Sequence, residues 1–412
     1  MDENVRYITG IDVGSENVRA VVATIDRDGS VSVVGYNEGK NAGMQKGVVD
    51  TLSGPAEAID KMLLEVERMS GFSINSAFVS INGSNVMSVQ ASGRIALGTP
   101  DHEITEADLE RVEGATVLGK VPANREILDV LPLSYTLDGQ SGIKDPLGMT
   151  GLLLEMNANV ISALMPTAVN LRKSLDGGGI TAEKLIPSVC AAATAVLTER
   201  QRENGVAVVD LGYATTGVAI YENGDLQYVG VIPVGANNIT NDLAILLQVP
   251  TEIAEDIKRR FVTGLFKDDD KEIVVKKGRD ELAFSRKEVN RVVRDRLDEI
   301  FEGVVNEIKL AGYAKKLPEG IVFVGGGSKM RDLDVYAKSV LQTATRIGLP
   351  TGFGGVADAI KTPDYACALG LALLAARTAP APVHKTSKKS TSKKSGNKKE
   401  KLNFLSKLFG KF

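Results

Sequence analysis

The sequence predicts an α/β protein of two related halves facing one another, followed by a basic C-terminal tail. Three observations predict it. A strand–turn–strand pattern near the N-terminus returns 198 residues later. With Asp12 set on Asp210, D-V-G-S-E-N-V-R-A-V-V-A aligns without a gap on D-L-G-Y-A-T-T-G-V-A-I-Y, a spacing far too long for a solenoid repeat. Segments of helical periodicity fill the space between the copies. The charge is also divided: residues 380–412 hold ten lysines and one acid, so a net charge of -3 conceals an acidic body and a tail of +9. That division argues against nucleic-acid binding by the body and directs attention to what the tail touches.

Composition narrows the class further. The 412 residues are 43% hydrophobic and 25% charged, enough for an ample core spread over two to four structural units. No uninterrupted apolar run approaches the roughly 20 residues a spanning helix needs; the longest, Tyr365 to Ala376, is rich in Ala and Gly. The opening MDENVRYITG has neither the basic nor the apolar region of a secretory signal, and a cytosolic compartment is expected. Cys190 and Cys367 sit in separate Ala-rich stretches, and His102 and His384 are the two histidines. A disulfide framework, a zinc site and a Ser-His-Asp triad are therefore not expected.

Taken in order, Arg6 to Val13, Val18 to Ile25 and Val31 to Tyr36 read as strands, with Asp28-Gly29 as the turn between the last two. Pro55 to Ser70 places Ala58, Ile59, Met62, Leu63 and Val66 at helical spacing, with Ser53 as its cap. Residues 83–165 depart from both halves and read as an insertion, with a helix opening at Thr105 among short strands. Thr181 to Arg200 reads as a helix. Val206 to Leu211, Gly217 to Tyr221 and Leu226 to Ile232 repeat the opening strands, with Asn223-Gly224 as the turn. Ile239 to Leu247, Thr251 to Phe261 and Arg286 to Leu310 follow as helices, the last aligning Val289, Val292, Val293, Leu297, Ile300, Val304, Val305 and Ile308 along one side. From Thr378 the composition turns to Ala/Pro and then Lys/Ser, as in a disordered linker.

Three glycine-bearing turns carry the candidate chemistry. Gly10-Ile11-Asp12-Val13-Gly14-Ser15 ends a strand with an Asp able to face a hydrated Mg²⁺ and a Gly able to approach a phosphate. Asp210-Leu211-Gly212, followed by Thr215 and Thr216, offers the same arrangement from the other half. Ile321 to Val324 is a buried-strand pattern emptying into Gly325-Gly326-Gly327-Ser328. A single such turn is common without a ligand; the duplicated pair followed by the triple glycine is the signal.

With these turns the chain resembles the actin/Hsp70/sugar-kinase ATPase superfamily and, within it, the FtsA family of bacterial cell-division proteins, over nearly its whole length. The resemblance rests also on Gly47-Val48-Val49-Asp50, on Arg125-Glu126-Ile127-Leu128 with Val130-Leu131-Pro132, and on Asp138 to Met149 (DGQSGIKDPLGM), a block that MreB and Hsp70 lack. Ile239-Thr240-Asn241-Asp242 and Ala254-Glu255-Asp256-Ile257-Lys258 complete it. It implies an actin-like duplicated fold, two ribonuclease-H-like halves around a nucleotide cleft. Subdomain 1A would comprise 1–82 and 166–204, inserted subdomain 1C 83–165, 2A 205–238 and 317–379, and 2B 239–316; a basic linker at 380–400 and an amphipathic helix at 401–412 would follow.

The resemblance also implies ATP and Mg²⁺ as ligands. Asp12 and Asp210 would hold the metal through water, and Gly14, Ser15, Asn17, Gly212, Thr215 and Thr216 would line the phosphates. Glu255 and Lys258 resemble the pair at ribose and adenine, although their spacing alone reads as an exposed helical ion pair. Gly325, Gly326 and Gly327 would form the adenine shelf, with Gly235 and Ser328 completing the set. The implied function is a peripheral protein at the septum, on the cytoplasmic face of the membrane, that polymerises, tethers FtsZ filaments by their C-terminal peptide, and recruits later division proteins through 1C. Arg291, Arg294 and Arg296 are its candidate contacts for the acidic FtsZ peptide. Two departures predict slow hydrolysis at most: Tyr213 replaces the middle glycine of the second phosphate loop, and Ile186 stands where hydrolases of the superfamily carry Glu or Gln before the helix-starting Pro. The alternatives are an active ATPase or kinase of the same superfamily, for which no distinctive catalytic Asp is found, and a PilM-like type IV pilus scaffold, which usually lacks a basic amphipathic tail.

The tail needs least help from the family. On a helix, Leu402, Phe404, Leu405, Leu408, Phe409 and Phe412 share one arc of about 160°. Such a helix is about 16 Å long, so it lies in the membrane interface without crossing. Its lysines add attraction to anionic lipid that salt screens, and several tails on one filament would act together. The expected outcome is that Leu405→Glu or Phe409→Glu releases the protein from anionic liposomes in a pelleting assay while the fold and nucleotide binding persist. Liposome binding that survives deletion of residues 401–412 would refute this mechanism.

Overall fold

A computed structural model of the chain describes residues 6–266, 271–277, 280–356 and 358–378; the linker and the amphipathic tail lie outside the described residues. The first half opens with β1 (Arg6–Val13), β2 (Asn17–Ile25), β3 (Val31–Lys40), a small hairpin β4 (Met44–Gln45) and β5 (Val48–Val49), α1 (Ser53–Ser70) and β6 (Ser76–Ile81). The insertion comprises β7 (Met87–Ala96), α2 (Glu106–Val117), β8 (Arg125–Leu137), β9 (Gln140–Ile143) and β10 (Leu153–Leu164). The chain returns through α3 (Met165–Gly177), β11 (Thr181–Pro187), α4 (Ser188–Val196) and α5 (Glu199–Asn204). The second half holds β12 (Val206–Leu211), β13 (Thr216–Glu222), β14 (Asp225–Ile232), α6 (Ala236–Leu247), α7 (Thr251–Phe261), the hairpin β15 (Glu272–Lys277) and β16 (Asp280–Ser285), α8 (Arg286–Leu310), β17 (Ile321–Val324), α9 (Leu333–Leu341) and β18 (Thr345–Ile347). β19 (Gly354–Gly355) and α10 (Ala366–Thr378) then cross back to the first half.

The duplication is visible in the register. The first sheet runs β11-β6-β1-β2-β3-β19 and the second β14-β13-β12-β17-β18. In each, a central strand pairs antiparallel with the next strand and parallel with one beyond a long crossover. Asp12 lies opposite Arg19 and Asp210 opposite Gly217, seven positions on in both cases. Gly14 N–H donates to the Asn17 carbonyl at 3.1 Å and Gly212 N–H to the Thr215 carbonyl at 3.0 Å. Asn223 and Gly224 both take left-handed backbone, at φ 54° and 81°, the geometry of a tight hairpin turn.

Strand alternation distributes the core. Val206 and Val208 of β12 face one cluster, shared with the first half, while Ala207, Val209 and Leu211 face another that the helices of the second half cover. The periodicity of α1 and α8 holds: Ala58, Ile59, Met62, Leu63 and Val66 are buried, as are Val289, Val293, Leu297, Ile300, Val304 and Ile308, with Val292 and Val305 half-buried. The insertion has its own core, in which α2 covers a sheet ordered β7-β10-β8-β9. Thr105 caps α2 through Asp108, whose carboxylate also takes His102 Nε2 at 2.9 Å and Arg111 Nη1 at 2.8 Å.

Two local expectations are corrected. Thr181–Pro187 is a strand, and helix begins only at Ser188. The helix-favouring run Ala182-Glu183-Lys184-Leu185 is overridden by parallel pairing with β6, by the buried Lys184–Asp129 ion pair at 2.8 Å, and by Pro187, which has no N–H to continue a helix. Ser53 lies within the first turn of α1, and the cap position is Leu52, without a side-chain bond.

The insertion touches both halves. Lys184–Asp129 and Arg172–Glu126 tie it to the first half. Toward the second, Ser88 Oγ accepts from Val229 N–H at 2.7 Å, Asn159 Nδ2 donates to the Leu226 carbonyl at 2.9 Å, and Lys144 pairs with Asp225. All three reach β14, the edge strand of the second sheet.

Between the halves, α10 packs on α4, β1 and β6. It is buried from Ala366 through Ala375, which accounts for its nearly all-apolar sequence. A Cβ on Gly370 would overlap the Ala191 carbonyl of α4, and one on Gly10 would overlap the Ala368 carbonyl. Gly370→Ala is therefore expected to destabilise the protein by about 1–3 kcal/mol in urea unfolding. Gly114→Ala, on an exposed turn of α2 where a Cβ meets nothing within 4 Å, should stabilise by up to about 1 kcal/mol.

Candidate functional site

The two hairpins bring Asp12 and Asp210 to the floor of a cleft of about 560 Å³ between the halves. Each carboxylate has a serine of a neighbouring element beside it. Ser80 Oγ on β6 donates to Asp12 Oδ1 at 2.8 Å and accepts the Val13 N–H at 2.8 Å. Ser188, at the start of α4, lines the cleft beside Asp210 and favours its charged form. Burial, and then the charge of Asp12, push the Asp210 carboxyl up to about 6, against the opposing pull of Ser188 and Arg19. Cys367 of α10 lines the same floor, its thiol raised well above the ordinary range by burial and by the two aspartates.

Two half-buried carboxylates of like charge facing one cleft define a place for a cation. Among the described residues no group of three or more His, Cys, Asp or Glu side chains could hold a metal ion. A cation between Asp12 and Asp210 would therefore complete its shell with water and ligand oxygens, the habit of Mg²⁺.

Of the residues singled out in the sequence, Asp12, Gly14, Ser15, Asn17, Asp210, Gly212, Thr215, Glu255, Lys258, Gly325, Gly326 and Gly327 line this cleft. Thr216, Gly235 and Ser328 form the layer beneath. Thr216 Oγ1 donates to the Val234 carbonyl, and Ser328 Oγ to the Gly325 carbonyl. Gly235 starts α6 where a Cβ would sit 2.6 Å from the Tyr213 carbonyl. Gly325 has φ 86°, and beside it Gly326 leaves open space where a side chain would project. Lys258 Nζ lies 2.6 Å from Glu255 Oε2 and donates to Thr240 Oγ1 at 2.7 Å and to the Ala236 carbonyl. Burial lowers the lysine, while its partners hold Glu255 below its ordinary value against burial. The pair is built into the wall and is not a solvated helix pair. Tyr213 projects at the cleft, 36% exposed, and Ile186 is buried ahead of Pro187.

Sequence reasoning missed several lining groups. Asp364, only 9% exposed, receives Arg19 of the first half at 3.3 Å and Lys329 of the second at 3.2 Å. Arg19 had a signal, its ladder position opposite Asp12; Asp364, in a short turn of helix before α10, had none. Glu16 and Lys40, paired at 2.8 Å, are brought to the mouth by β2 and β3. Away from the cleft, Arg296 is bidentate to Asp242 across α6 and α8, Arg294 lies over the Phe266 ring, and Arg291 is exposed.

The fold and the cleft define an actin-like, two-lobed protein with an inserted third domain. Among solved structures the chain is similar to the PilM-PilN type IV pilus biogenesis complex, with TM-score 0.66 at 16% identity over 90% of this chain and 98% of the other. It is also similar to MreB5 of Spiroplasma citri bound to ADP, with TM-score 0.50 at 14% identity over 89% and 94%. At those identities the likeness shows the fold alone. The family model for cell division protein FtsA matches residues 207–370, and that for the SHS2 domain inserted in FtsA matches residues 83–162. The curated relative from Pseudomonas aeruginosa, a cell division protein FtsA, is 34% identical over 370 residues, 89% of this chain and 88% of that one. The Bacillus subtilis FtsA is 30% identical over 92% and 85%. The chain belongs to the FtsA family of cell division proteins.

The raised Asp210 gives a signed pH effect. Its protonated form is favoured in the folded chain, so stability falls as pH rises from the ordinary carboxylate value through about 6; a cation at the floor offsets this. Asp210→Asn should raise the melting temperature of the ligand-free protein at pH 8 by a few degrees and remove the stabilisation that Mg²⁺ gives. A lower melting temperature with an undiminished Mg²⁺ response would overturn the assignment of the floor as a cation site.

Proposed function

We propose that this chain is an actin-like division protein that binds ATP with Mg²⁺ in the cleft and polymerises on the cytoplasmic face of the cell membrane at the septum. There it tethers FtsZ filaments and recruits later division proteins through the inserted domain. The observation that carries the nucleotide reading is the convergence of Asp12 and Asp210 on two hairpins of identical register. Mg²⁺ supplies positive charge that lets a phosphate chain approach two carboxylates. Gly14, Ser15, Asn17, Gly212 and Thr215 line the phosphates, Thr216 and Gly235 hold the second hairpin in place, and Gly325 to Gly327, braced by Ser328, form the shelf for the base. Glu255 and Lys258 meet the ribose and adenine side.

The fold is shared with proteins whose structures are described as an ADP-bound MreB5 and as a MamK double helical filament, which supports the nucleotide and polymer readings. No helix among the described residues is long and apolar enough to cross a membrane; the attachment proposed is through residues 401–412, on the apolar arc of their sequence. The FtsZ peptide is expected at α8, where Arg291 is exposed, with Arg294 and Arg296 beside it. Turnover is slow because Ile186 is buried and carries no group that orients water, and Tyr213 adds a ring beside the phosphate loop.

The test is pelleting with anionic liposomes, with and without ATP and FtsZ, alongside phosphate release. The expected outcome is protein in the pellet, FtsZ brought down only in its presence, and turnover well below the range of about 1–100 per second of kinases. Protein that stays in the supernatant under every condition, or rapid phosphate release, would overturn the reading.

A further inference from the structure

The two hairpin tips are matched in backbone but not in charge. Gly14-Ser15-Glu16-Asn17 carries an acid where Gly212-Tyr213-Ala214-Thr215 carries Ala214. The Glu16 side chain is 28% exposed and lines the cleft. Its Oε1 takes Lys40 Nζ at 2.8 Å and lies 4.0 Å from Arg259 Nη2. Lys40 ends β3 in the first half and Arg259 belongs to α7 in the second, so one carboxylate stands between cations from both sides of the mouth. Lys258 and the Tyr213 phenol also feel its charge. Five basic and six acidic side chains line the cleft in all, so its lining is slightly negative before any ligand enters. A cleft that receives phosphates would be expected to offer spare cations; here Glu16 engages Lys40, and Glu255 engages Lys258 and Arg259 at 2.6 and 2.7 Å.

We propose that Glu16 is a built-in anion that competes with the phosphates of a bound nucleotide for Lys40 and Arg259, and so sets affinity according to ligand charge. This rests on the reading of the cleft as a nucleotide site. A phosphate that pairs with Lys40 must displace Glu16 or share the lysine with it, and its charge then lies close to the half-buried Glu16 carboxylate, where like charges interact more strongly than in bulk water. The more charge the ligand brings, the greater the penalty. Adenosine, which brings none, escapes it.

Glu16→Gln removes the charge and keeps the shape. Titration calorimetry of wild type and variant with adenosine, AMP, ADP and ATP, each with Mg²⁺, reads the effect. ATP should bind about tenfold more tightly to the variant at low salt, AMP less so, and adenosine unchanged, with the gain shrinking as salt rises. Lys40→Met should cost ATP little in the wild type, where Glu16 already neutralises the lysine, and should cancel most of the gain in the Glu16→Gln background. Unchanged or weaker ATP binding by Glu16→Gln, an equal gain for adenosine, or strict additivity of the two substitutions would each overturn the proposal. Binding of none of the four ligands by either protein would overturn the nucleotide reading beneath it.

Discussion

The close approach of α10 to α4 is the contact on which the rest of the structure depends. Gly370 lies against the Ala191 carbonyl and Gly10 against α10 with no space for a side chain. Through these contacts the central strand of the first sheet, the crossing helix and the helix that covers the second sheet stack at backbone distance. Dense packing of small residues transmits position with little slack. As a result two hairpins nearly two hundred residues apart present their aspartates to one cleft floor.

The cleft gathers carboxylates whose charge is held in check by burial and by one another. Asp210 is raised by burial and by Asp12, while Asp364 is kept below its ordinary value, against burial, by Thr362 and by Arg19 and Lys329. Exposed ion pairs such as Arg68–Glu65 tolerate solvent and contribute little. The cleft carboxylates instead sit where charge is penalised unless something of opposite sign is near, a combination typical of functional sites. In the second half Gly217 occupies the position that Arg19 holds in the first, so the duplicated site is unequal in charge although its backbone is symmetric.

Much of this was legible in the residues, and the reason is local. Hairpin register follows from turn length and strand alternation, so aligning Asp12 with Asp210 was enough to superpose the two copies. The long helix α8 was readable from its apolar stripe alone. Thr181–Pro187 was not, because its residues favour helix and only a parallel strand more than a hundred positions earlier makes it a strand. The same limit hid Asp364 and Lys40, whose roles arise from elements that meet only in the folded chain. Glu255 and Lys258 sat between these cases: their spacing was plain, but only the fold shows that the pair is half-enclosed and bonded to Thr240.

The inserted domain adds a mechanical consequence. It is pinned to the first half through Lys184–Asp129 and Arg172–Glu126, and to the edge of the second sheet through Ser88, Asn159 and Lys144. The insertion therefore bridges the two lobes at a place apart from the crossing helix. Any displacement of β14 away from the inserted domain would have to break the Ser88 and Asn159 bonds and the Lys144–Asp225 pair together.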